Sequence, residues 1–270
     1  MANKRFIITG TSGFIGGALY RFFQSQKINC IGISRSEHAN SDYCVKNYSE
    51  LSKLFDKDTY LISFAGDNRK IDENELQMVK DLSTTYQHQM FYISSAQVYG
   101  LKHNYSNIET SPLDGVTDYA KNKIIAEQLV KKNHGKIFRL SNVYGKGMSK
   151  DTVWYDILKQ VKANKDLITL KNKLAIRDFL YIDDLCLIIS KIVTSDKNFD
   201  VINVGSGIGT SLITITNHIH QIIYPNSSYP EIYSDNDEDI CNILDIDLAA
   251  REFGWEPRVS LQNGINLWLA

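Results

Sequence analysis

Short apolar runs alternate with amphipathic segments through the first half of the chain. The run RFIIT at 5–9 is continuously apolar and ends at a glycine, which is typical of a buried parallel strand. Between 13 and 26, apolar side chains recur every three or four residues, which predicts a helix. The same patterns predict strands at 28–34, near 43–45, and at 59–66, 90–95 and 136–141, and helices from about 49, near 73–87 and at 117–133.

This alternation continues through about residue 145 and predicts a doubly wound parallel sheet of the α/β class. We expect one domain over 1–145, with further strands contributed by about 176–205. The looser patterns over 146–175 and 206–270 predict a small C-terminal lobe. Because the chain has only four prolines and no low-complexity tract, we expect this lobe to pack directly on the sheet.

Composition narrows the classes of partner. A net charge of −1 over 270 residues does not favour nucleic acid or a membrane surface as a partner. No apolar run reaches the roughly 20 residues that span a bilayer. The first strand and its glycine turn occupy the N-terminus, which leaves no room for a signal peptide, so we expect a cytoplasmic protein. The four cysteines have no metal-ligand spacing, and we predict no metal site.

The turn after the first strand contains three glycines, Gly10, Gly13 and Gly16, at G-x-x-G-x-x-G spacing. A glycine trio alone is also compatible with an ordinary tight turn. A strand, a glycine turn and a helix in this order favour a Rossmann-type dinucleotide site, since the pyrophosphate can then approach the helix N-terminus. We expect the cofactor to contact this turn and the end of the strand at 59–66, through Gly10, Thr11, Ser12, Gly13, Phe14, Ile15, Gly16, Ala65 and Gly66.

The end of the second strand bears on the choice of cofactor. NAD sites usually carry a carboxylate there, which bonds the ribose 2′-hydroxyl. Here the strand ends in Ser34 and Arg35, whose hydroxyl and guanidinium suit a 2′-phosphate. The sequence therefore favours NADP(H) over NAD(H), although Arg35 is also compatible with an ordinary surface arginine in a pocket that accepts either cofactor.

Tyr119 and Lys123 are candidates for proton transfer. They lie four residues apart on a predicted helix and so share one face. An ammonium favours the ionised form of a nearby phenol, which suits the pair to moving a proton to or from an oxygen. Such a pair is common on solvated helices, but Ser95 ends a predicted strand, where open α/β sheets bind ligands.

Several motifs together resemble the extended short-chain dehydrogenase/reductase superfamily, in the branch of nucleotide-sugar epimerases, dehydratases and 4-ketoreductases. Besides the glycine turn, the matching motifs are SSAQVYG at 94–100, YAKNK at 119–123, RLSNVYG at 139–145, RDFLYIDD at 177–184, NVGSG at 203–207 and FGWEP at 253–257. The resemblance implies that Ser95, Tyr119 and Lys123 form the Ser-Tyr-Lys triad and that Lys123 also holds the nicotinamide ribose. Ser94 competes with Ser95, but the spacing to VYG favours Ser95.

The resemblance also implies a nucleoside diphosphate sugar as substrate, bound in part by the C-terminal lobe. Asn142 matches the position whose amide meets the diphosphate, and Arg177 matches an arginine that often binds it. Two simpler interpretations stay open. Asn142 is also compatible with fixing a turn, and Arg177 with pairing to Asp178 or Asp183.

The chain departs from the family pattern in two places. The segment between FAG at 64–66 and Ser94 is short, and the Asn that relatives carry in a helix facing the site cannot be placed. The resemblance implies a homodimer, because that helix and the Tyr-Lys helix form a two-fold dimer bundle in many relatives. Dehydratases of the family carry an Asp-Glu pair where this chain has Ala96 and Gln97, which argues against a 4,6-dehydratase.

We therefore expect an NADPH-dependent 4-ketoreductase of a nucleotide-linked 4-keto-6-deoxy sugar, in surface polysaccharide synthesis. The alternative within the family is a 4-epimerase that keeps and recycles its cofactor. A non-catalytic NADP(H)-binding regulator is a third possibility, but the presence of both Tyr119 and Lys123 counts against it.

Overall fold

The computed structural model describes residues 4–45, 48–64, 73–101 and 105–270. Within these ranges no helix is long and apolar enough to cross a bilayer. The strands are β1 (Arg5–Thr9), β2 (Cys30–Ser34), β3 (Tyr43–Cys44), β4 (Thr59–Ser63), β5 (Met90–Ser95), β6 (Lys136–Leu140), β7 (Asn142–Tyr144), β8 (Leu167–Leu170), β9 (Ile176–Tyr181), β10 (Val201–Val204), β11 (Gly209–Ser211), β12 (Glu231–Ser234) and β13 (Cys241–Asn242). The helices are α1 (Phe14–Ser25), α2 (Glu73–Tyr86), α3 (Asp118–Lys132), α4 (Val153–Ala163), α5 (Ile182–Thr194), α6 (Leu212–Ile223), α7 (Asp247–Phe253) and α8 (Leu261–Leu269).

The described strands include a central parallel sheet of seven, in the order β10-β6-β5-β4-β1-β2-β3, which confirms the predicted α/β fold. Successive side chains of β1 point to opposite faces of the sheet. Phe6 and Ile8 pack in the core that includes α1 and α5, whereas Ile7 packs in the core under α2 and α3. Burial on both faces explains why the strand is continuously apolar.

The segment predicted as a helix from about residue 49 is a 3₁₀ helix at Tyr48–Leu54. Its apolar residues Tyr48, Leu51 and Leu54 are spaced by three, which matches the three residues per turn of a 3₁₀ helix. Tyr48 and Leu51 are buried in the core under α2 and α3, and Leu54 packs against it. The three-residue spacing of these apolar side chains therefore accounts for a 3₁₀ helix instead of an α-helix.

The small lobe has its own sheet. β9 pairs with β11, with β13 and, through its last three residues, with β7. A separate parallel pair joins β8 and β12. Of the 176–205 segment, β10 joins the central sheet and α5 packs against α1, whereas β9 belongs to the lobe. We expected 176–205 to add strands to the central sheet, and of its two strands β10 does so while β9 lies in the second sheet.

Asp178 of β9 connects three segments of the lobe. Its carboxylate is fully buried and accepts bonds from the backbone N–H and hydroxyl of Ser206, each at 2.7 Å. It also accepts from the N–H of Gly207 at 3.1 Å and of Leu244 at 3.4 Å. A Cβ on Gly205 would lie 2.4 Å from one of its oxygens, so the loop approaches closely because Gly205 has no side chain.

We predict that Asp178→Asn destabilises the protein. The substitution places an NH₂ group against N–H donors, and leaving buried donors unpaired should lower the free energy of unfolding by about 3 kcal/mol. Urea denaturation checks this, with the exposed Asp235→Asn as the matched control. Equal midpoints for the two variants would contradict the role given to Asp178.

Candidate active site

The glycine turn joins β1 to α1 and cannot carry side chains at two of its glycines. Gly10 has φ +70°, a left-handed conformation that favours glycine. The carbonyl of Gly10 accepts from the N–H of Gly13 at 2.9 Å. A Cβ on Gly16 would lie 2.5 Å from that same carbonyl oxygen. The turn therefore brings the N-terminus of α1 close to the end of β1 and leaves its N–H groups able to meet an anion.

The loop after β2 lies beside this turn. Ser34 is fully buried, and its hydroxyl donates to the carbonyl of Ser36. Arg35, the next residue, is exposed. The hydroxyls of Thr11 and Ser41 lie 2.7 Å apart and tie the glycine turn to this loop. Of the other residues expected to contact the cofactor, Ser12 is exposed in the turn, while Ala65 and Gly66 lie outside the described residues.

Ser95 and Tyr119 meet at the carboxyl end of β5. The Ser95 hydroxyl accepts from the N–H of Gln97 at 3.2 Å and caps the 3₁₀ helix Ala96–Tyr99. Tyr119 lies in the first turn of α3, and Thr117 caps that helix. Burial raises the pKa of Tyr119, and a hydrogen bond with Ser95 partly opposes that rise. Tyr119 is therefore protonated at neutral pH.

Lys123 lies one turn further along α3, as the spacing predicts, and it is buried. Its ammonium donates to the hydroxyl of Tyr92 at 3.0 Å and to the carbonyl of Ile93 at 3.1 Å. It lies 5.8 Å from the centre of the Tyr119 ring. Burial lowers the pKa of Lys123 to about 8, against the opposing charges of Glu75 and Glu127. The lysine is therefore mostly charged at neutral pH.

A single cavity of about 420 Å³ brings half of the predicted site residues together, namely the Ser-Tyr-Lys residues and five residues of the glycine turn. It runs from the glycine turn to the triad and continues to the start of the lobe. The glycines that line one end of this cavity and the ammonium of Lys123 fit a dinucleotide whose pyrophosphate meets α1. The residues that line it are Gly10, Gly13, Phe14, Ile15, Gly16, Phe64, Ile93, Ser94, Ser95, Tyr119, Lys123, Leu140, Ser141, Val143, Met148, Ser149 and Thr152.

The two neighbouring serines have different partners. Ser94 is buried, and its hydroxyl donates to Glu127 of α3 at 2.6 Å. Glu127 also accepts two bonds from Arg139 of β6, at 3.0 and 2.6 Å. Ser95 instead lines the cavity together with Tyr119, and its hydroxyl lowers the pKa of that phenol. Ser94 therefore serves to hold α3 to the sheet, and Ser95 is the serine next to the phenol.

The two predicted substrate residues lie in the lobe sheet and do not line this cavity. Asn142 is exposed at the start of β7 and donates to the backbone carbonyl of Asp178 at 3.1 Å. Arg177 is half-buried on β9, and its Nη1 atom is buried without a hydrogen-bond partner in the described part of the chain. The bonds that the Asp178 carboxylate accepts come from Ser206, Gly207 and Leu244, and no described ion pair joins Arg177 to a carboxylate.

A second cavity of about 650 Å³ adjoins the first through Thr152, which lines both. It lies between the start of α4, the end of β8 and the start of α6. Three lysines, Lys150, Lys159 and Lys171, line it together with Tyr155. Two carboxylates, Asp151 and Asp156, line it as well, so the lysines exceed the acidic groups by one and the cavity has a small net positive charge.

Sequence reasoning missed three residues that contact or charge the triad: Tyr92, Glu75 and Glu127. Tyr92 lies within a continuously apolar strand and Glu75 lies in the first turn of a helix, so neither residue carries a local signal of a role in the site. Glu127 carried a usable signal, because it lies four residues after Lys123 and eight after Tyr119, on the same helix face.

Comparisons with known proteins identify the family of this chain. The family model described as the NAD-dependent epimerase/dehydratase family matches residues 6–205. The dTDP-4-dehydro-6-deoxyglucose reductase of Escherichia coli is 25% identical, over 96% of this chain and 95% of its own length. UDP-glucuronic acid decarboxylase 6 of Arabidopsis thaliana is 22% identical, over 98% of this chain and 88% of its own.

Among solved structures, a UDP-glucuronic acid 4-epimerase of Bacillus cereus, in complex with a UDP-sugar and NAD, superposes with a TM-score of 0.83. It is 20% identical and covers 98% of this chain and 97% of its own. That likeness confirms the fold, while the family model confirms the resemblance seen in the motifs. The chain belongs to the NAD-dependent epimerase/dehydratase family.

Proposed function

We propose that this protein reduces a nucleotide-linked 4-keto-6-deoxy sugar with NADPH. The observation that carries the proposal is that Ser95, Tyr119 and the cation of Lys123 line one cavity that begins at the glycine turn. A ketone oxygen placed between two hydroxyls can accept from both. The likeness to the E. coli reductase, which covers almost the whole of both chains, also supports the proposal.

In the proposed reaction, Ser95 and Tyr119 hold the ketone oxygen, and Tyr119 donates its proton to it. Burial raises the pKa of Tyr119, which suits a group that must begin the reduction protonated. The Lys123 ammonium stabilises the negative charge left on the phenol oxygen. NADPH bound along the glycine turn would supply the hydride.

Neighbouring residues favour reduction over dehydration. Ala96 is buried beside Ser95 and has no ionisable group, and Gln97 is an exposed amide. Neither can transfer the proton that elimination of water requires. A 4-epimerase would use the same three residues, so the test below includes an epimerised sugar among its outcomes.

We propose that the lobe binds the nucleoside diphosphate of the substrate. Arg177 supports this, because a buried guanidinium nitrogen without a partner is costly unless an anion binds there. The lysine-lined cavity beyond Thr152 offers further positive charge to the nucleotide end. Asn142 contributes an exposed amide on the strand next to Arg177.

We propose NADP(H) as the preferred cofactor, with Arg35 as the residue that binds the 2′-phosphate. Its side chain is exposed at the end of β2, beside the glycine turn. Ser34 acts indirectly, since its hydroxyl shapes the loop through the carbonyl of Ser36.

The direct experiment follows NADPH absorbance after 4-keto-6-deoxyhexoses linked to TDP, GDP or CDP are added, each made in situ by a dehydratase. Stoichiometric loss of NADPH with one nucleotide supports the reductase and identifies its base. Unchanged NADPH with every sugar overturns the proposal for this class, and an epimerised sugar in the same samples would establish the 4-epimerase.

Tyr119→Phe should lower kcat by about 100-fold or more, because the variant keeps the ring but loses the proton donor. NADPH affinity, measured by fluorescence titration, should stay close to wild type. Tyr229→Phe, at an exposed tyrosine of the lobe, is the matched control and should keep full activity. A Tyr119→Phe variant with undiminished turnover would exclude Tyr119 as the proton donor.

Arg35→Ala should weaken NADPH binding by about tenfold or more, since a charge-assisted bond to the 2′-phosphate is lost. NADH binding should not change. Calorimetric titration with both cofactors measures this, and the exposed Arg251→Ala in α7 controls for a change in overall charge. Equal losses for the two cofactors would show that Arg35 does not distinguish them.

A further inference from the structure

Tyr92 contacts the catalytic lysine from inside the sheet. It lies on β5, three residues before Ser95, and its side chain is fully buried in the core under α2 and α3. Its hydroxyl accepts from the Lys123 ammonium at 3.0 Å, and the ammonium also lies 4.8 Å from the centre of its ring. One side chain therefore gives the cation both a hydrogen-bond acceptor and the face of an aromatic ring.

A buried ammonium needs such support to keep its proton. Burial removes hydration and favours the neutral amine, which is why the pKa of Lys123 falls to about 8. Around the ammonium, the Tyr92 hydroxyl and the Ile93 carbonyl accept its hydrogen bonds. An ammonium has three N–H donors, so among the described residues one donor has no acceptor and can meet a ligand in the cavity that Lys123 lines.

Two carboxylates add negative charge to this environment, Glu75 from α2 and Glu127 from α3. Glu127 is bound by the guanidinium of Arg139, which offsets its charge. Glu75 is buried in the first turn of α2, and its charge opposes the loss of the lysine proton more strongly than that of Glu127. Tyr119, on the same helix as Lys123, is a further ionisable group near the ammonium, whose nitrogen lies 5.8 Å from the centre of its ring.

Tyr92 itself does not supply a proton. Burial and the charge of Glu75 raise its pKa well above that of an ordinary tyrosine, so its hydroxyl stays protonated. It does not line the cavity, and its contact with the site runs through Lys123.

We propose that Tyr92, supported by Glu75, is a positioning residue that holds Lys123 as a cation on the floor of the cavity, ready for the hydroxyls of a bound cofactor. This inference rests on the proposed function only in giving Lys123 a role beside the cofactor. In this proposal Tyr92 and Glu75 set the pH range over which Lys123 stays charged and the triad stays active.

The test compares Tyr92→Phe with Tyr86→Phe. Tyr86 is an equally buried tyrosine whose hydroxyl donates to the carbonyl of Leu51 at 2.7 Å, so both variants lose one buried hydroxyl. The titration of Lys123 is followed by NMR with ¹³Cε-labelled lysine, and Lys123→Met assigns the signal. NADPH and NADH affinities are measured in parallel from pH 6 to 10.

We expect the Lys123 titration midpoint to fall by about one pH unit in Tyr92→Phe, as loss of one hydrogen bond to a buried charge implies, and to stay unchanged in Tyr86→Phe. The alkaline loss of cofactor affinity should move by the same amount. Glu75→Gln should also lower both midpoints, because it removes a negative charge near the ammonium. If Tyr92→Phe does not fold, Glu75→Gln becomes the deciding variant.

Unchanged midpoints in the folded variants would overturn the inference, as would an equal shift in Tyr86→Phe. Neither measurement uses a sugar. Failure of the reductase assay would therefore leave these results intact, and a failure here would leave the proposed reaction standing.

Discussion

The buried ion pair of Glu127 and Arg139 holds α3, the helix that carries Tyr119 and Lys123, against the central sheet. Both side chains are 1% exposed, and the carboxylate also accepts from Ser94, so one group of α3 is fixed to β5 and β6 at once. Tyr119, Lys123 and Glu127 follow one another at intervals of four on one helix face. A rotation of α3 about its axis would break the ion pair, and separating a buried pair costs about 3–5 kcal/mol. The orientation of Tyr119 and Lys123 is thus fixed by Glu127, which lies about two helical turns after Tyr119 on α3.

Local patterns in the sequence predict part of the site, but contacts between α3 and the sheet cannot be predicted in this way. The glycine turn, β5 and the Tyr-Lys spacing are local patterns, and the structure places β5 at the residues that its apolar run predicts. Tyr92 and Arg139 could not be assigned in this way. Each lies within an apolar strand, and its partner lies on a helix at least 12 residues away, so only the packing of α3 on the sheet reveals the contact.

The sequence also does not show whether two adjacent residues share one role. Ser34 and Arg35 were expected to share one role, but neighbouring residues at a strand end point in opposite directions. Ser34 is buried and Arg35 is exposed. The pairing of β9 with β7, β11 and β13 was likewise invisible in the sequence, because strand partners far apart in the chain leave no periodic signal.

The bonds to Asp178 also constrain the order in which the protein forms. β9 is synthesised well before Leu244, whose N–H the carboxylate needs, and before Trp268, whose ring packs edge-on against Trp154 of α4. Contacts between such distant segments form late, since each closes a long loop. On the ribosome, the Rossmann half can therefore assemble while the lobe is still incomplete. The cavity along the glycine turn is lined by residues up to Thr152, so it can form before the nascent chain includes the segments that surround Asp178.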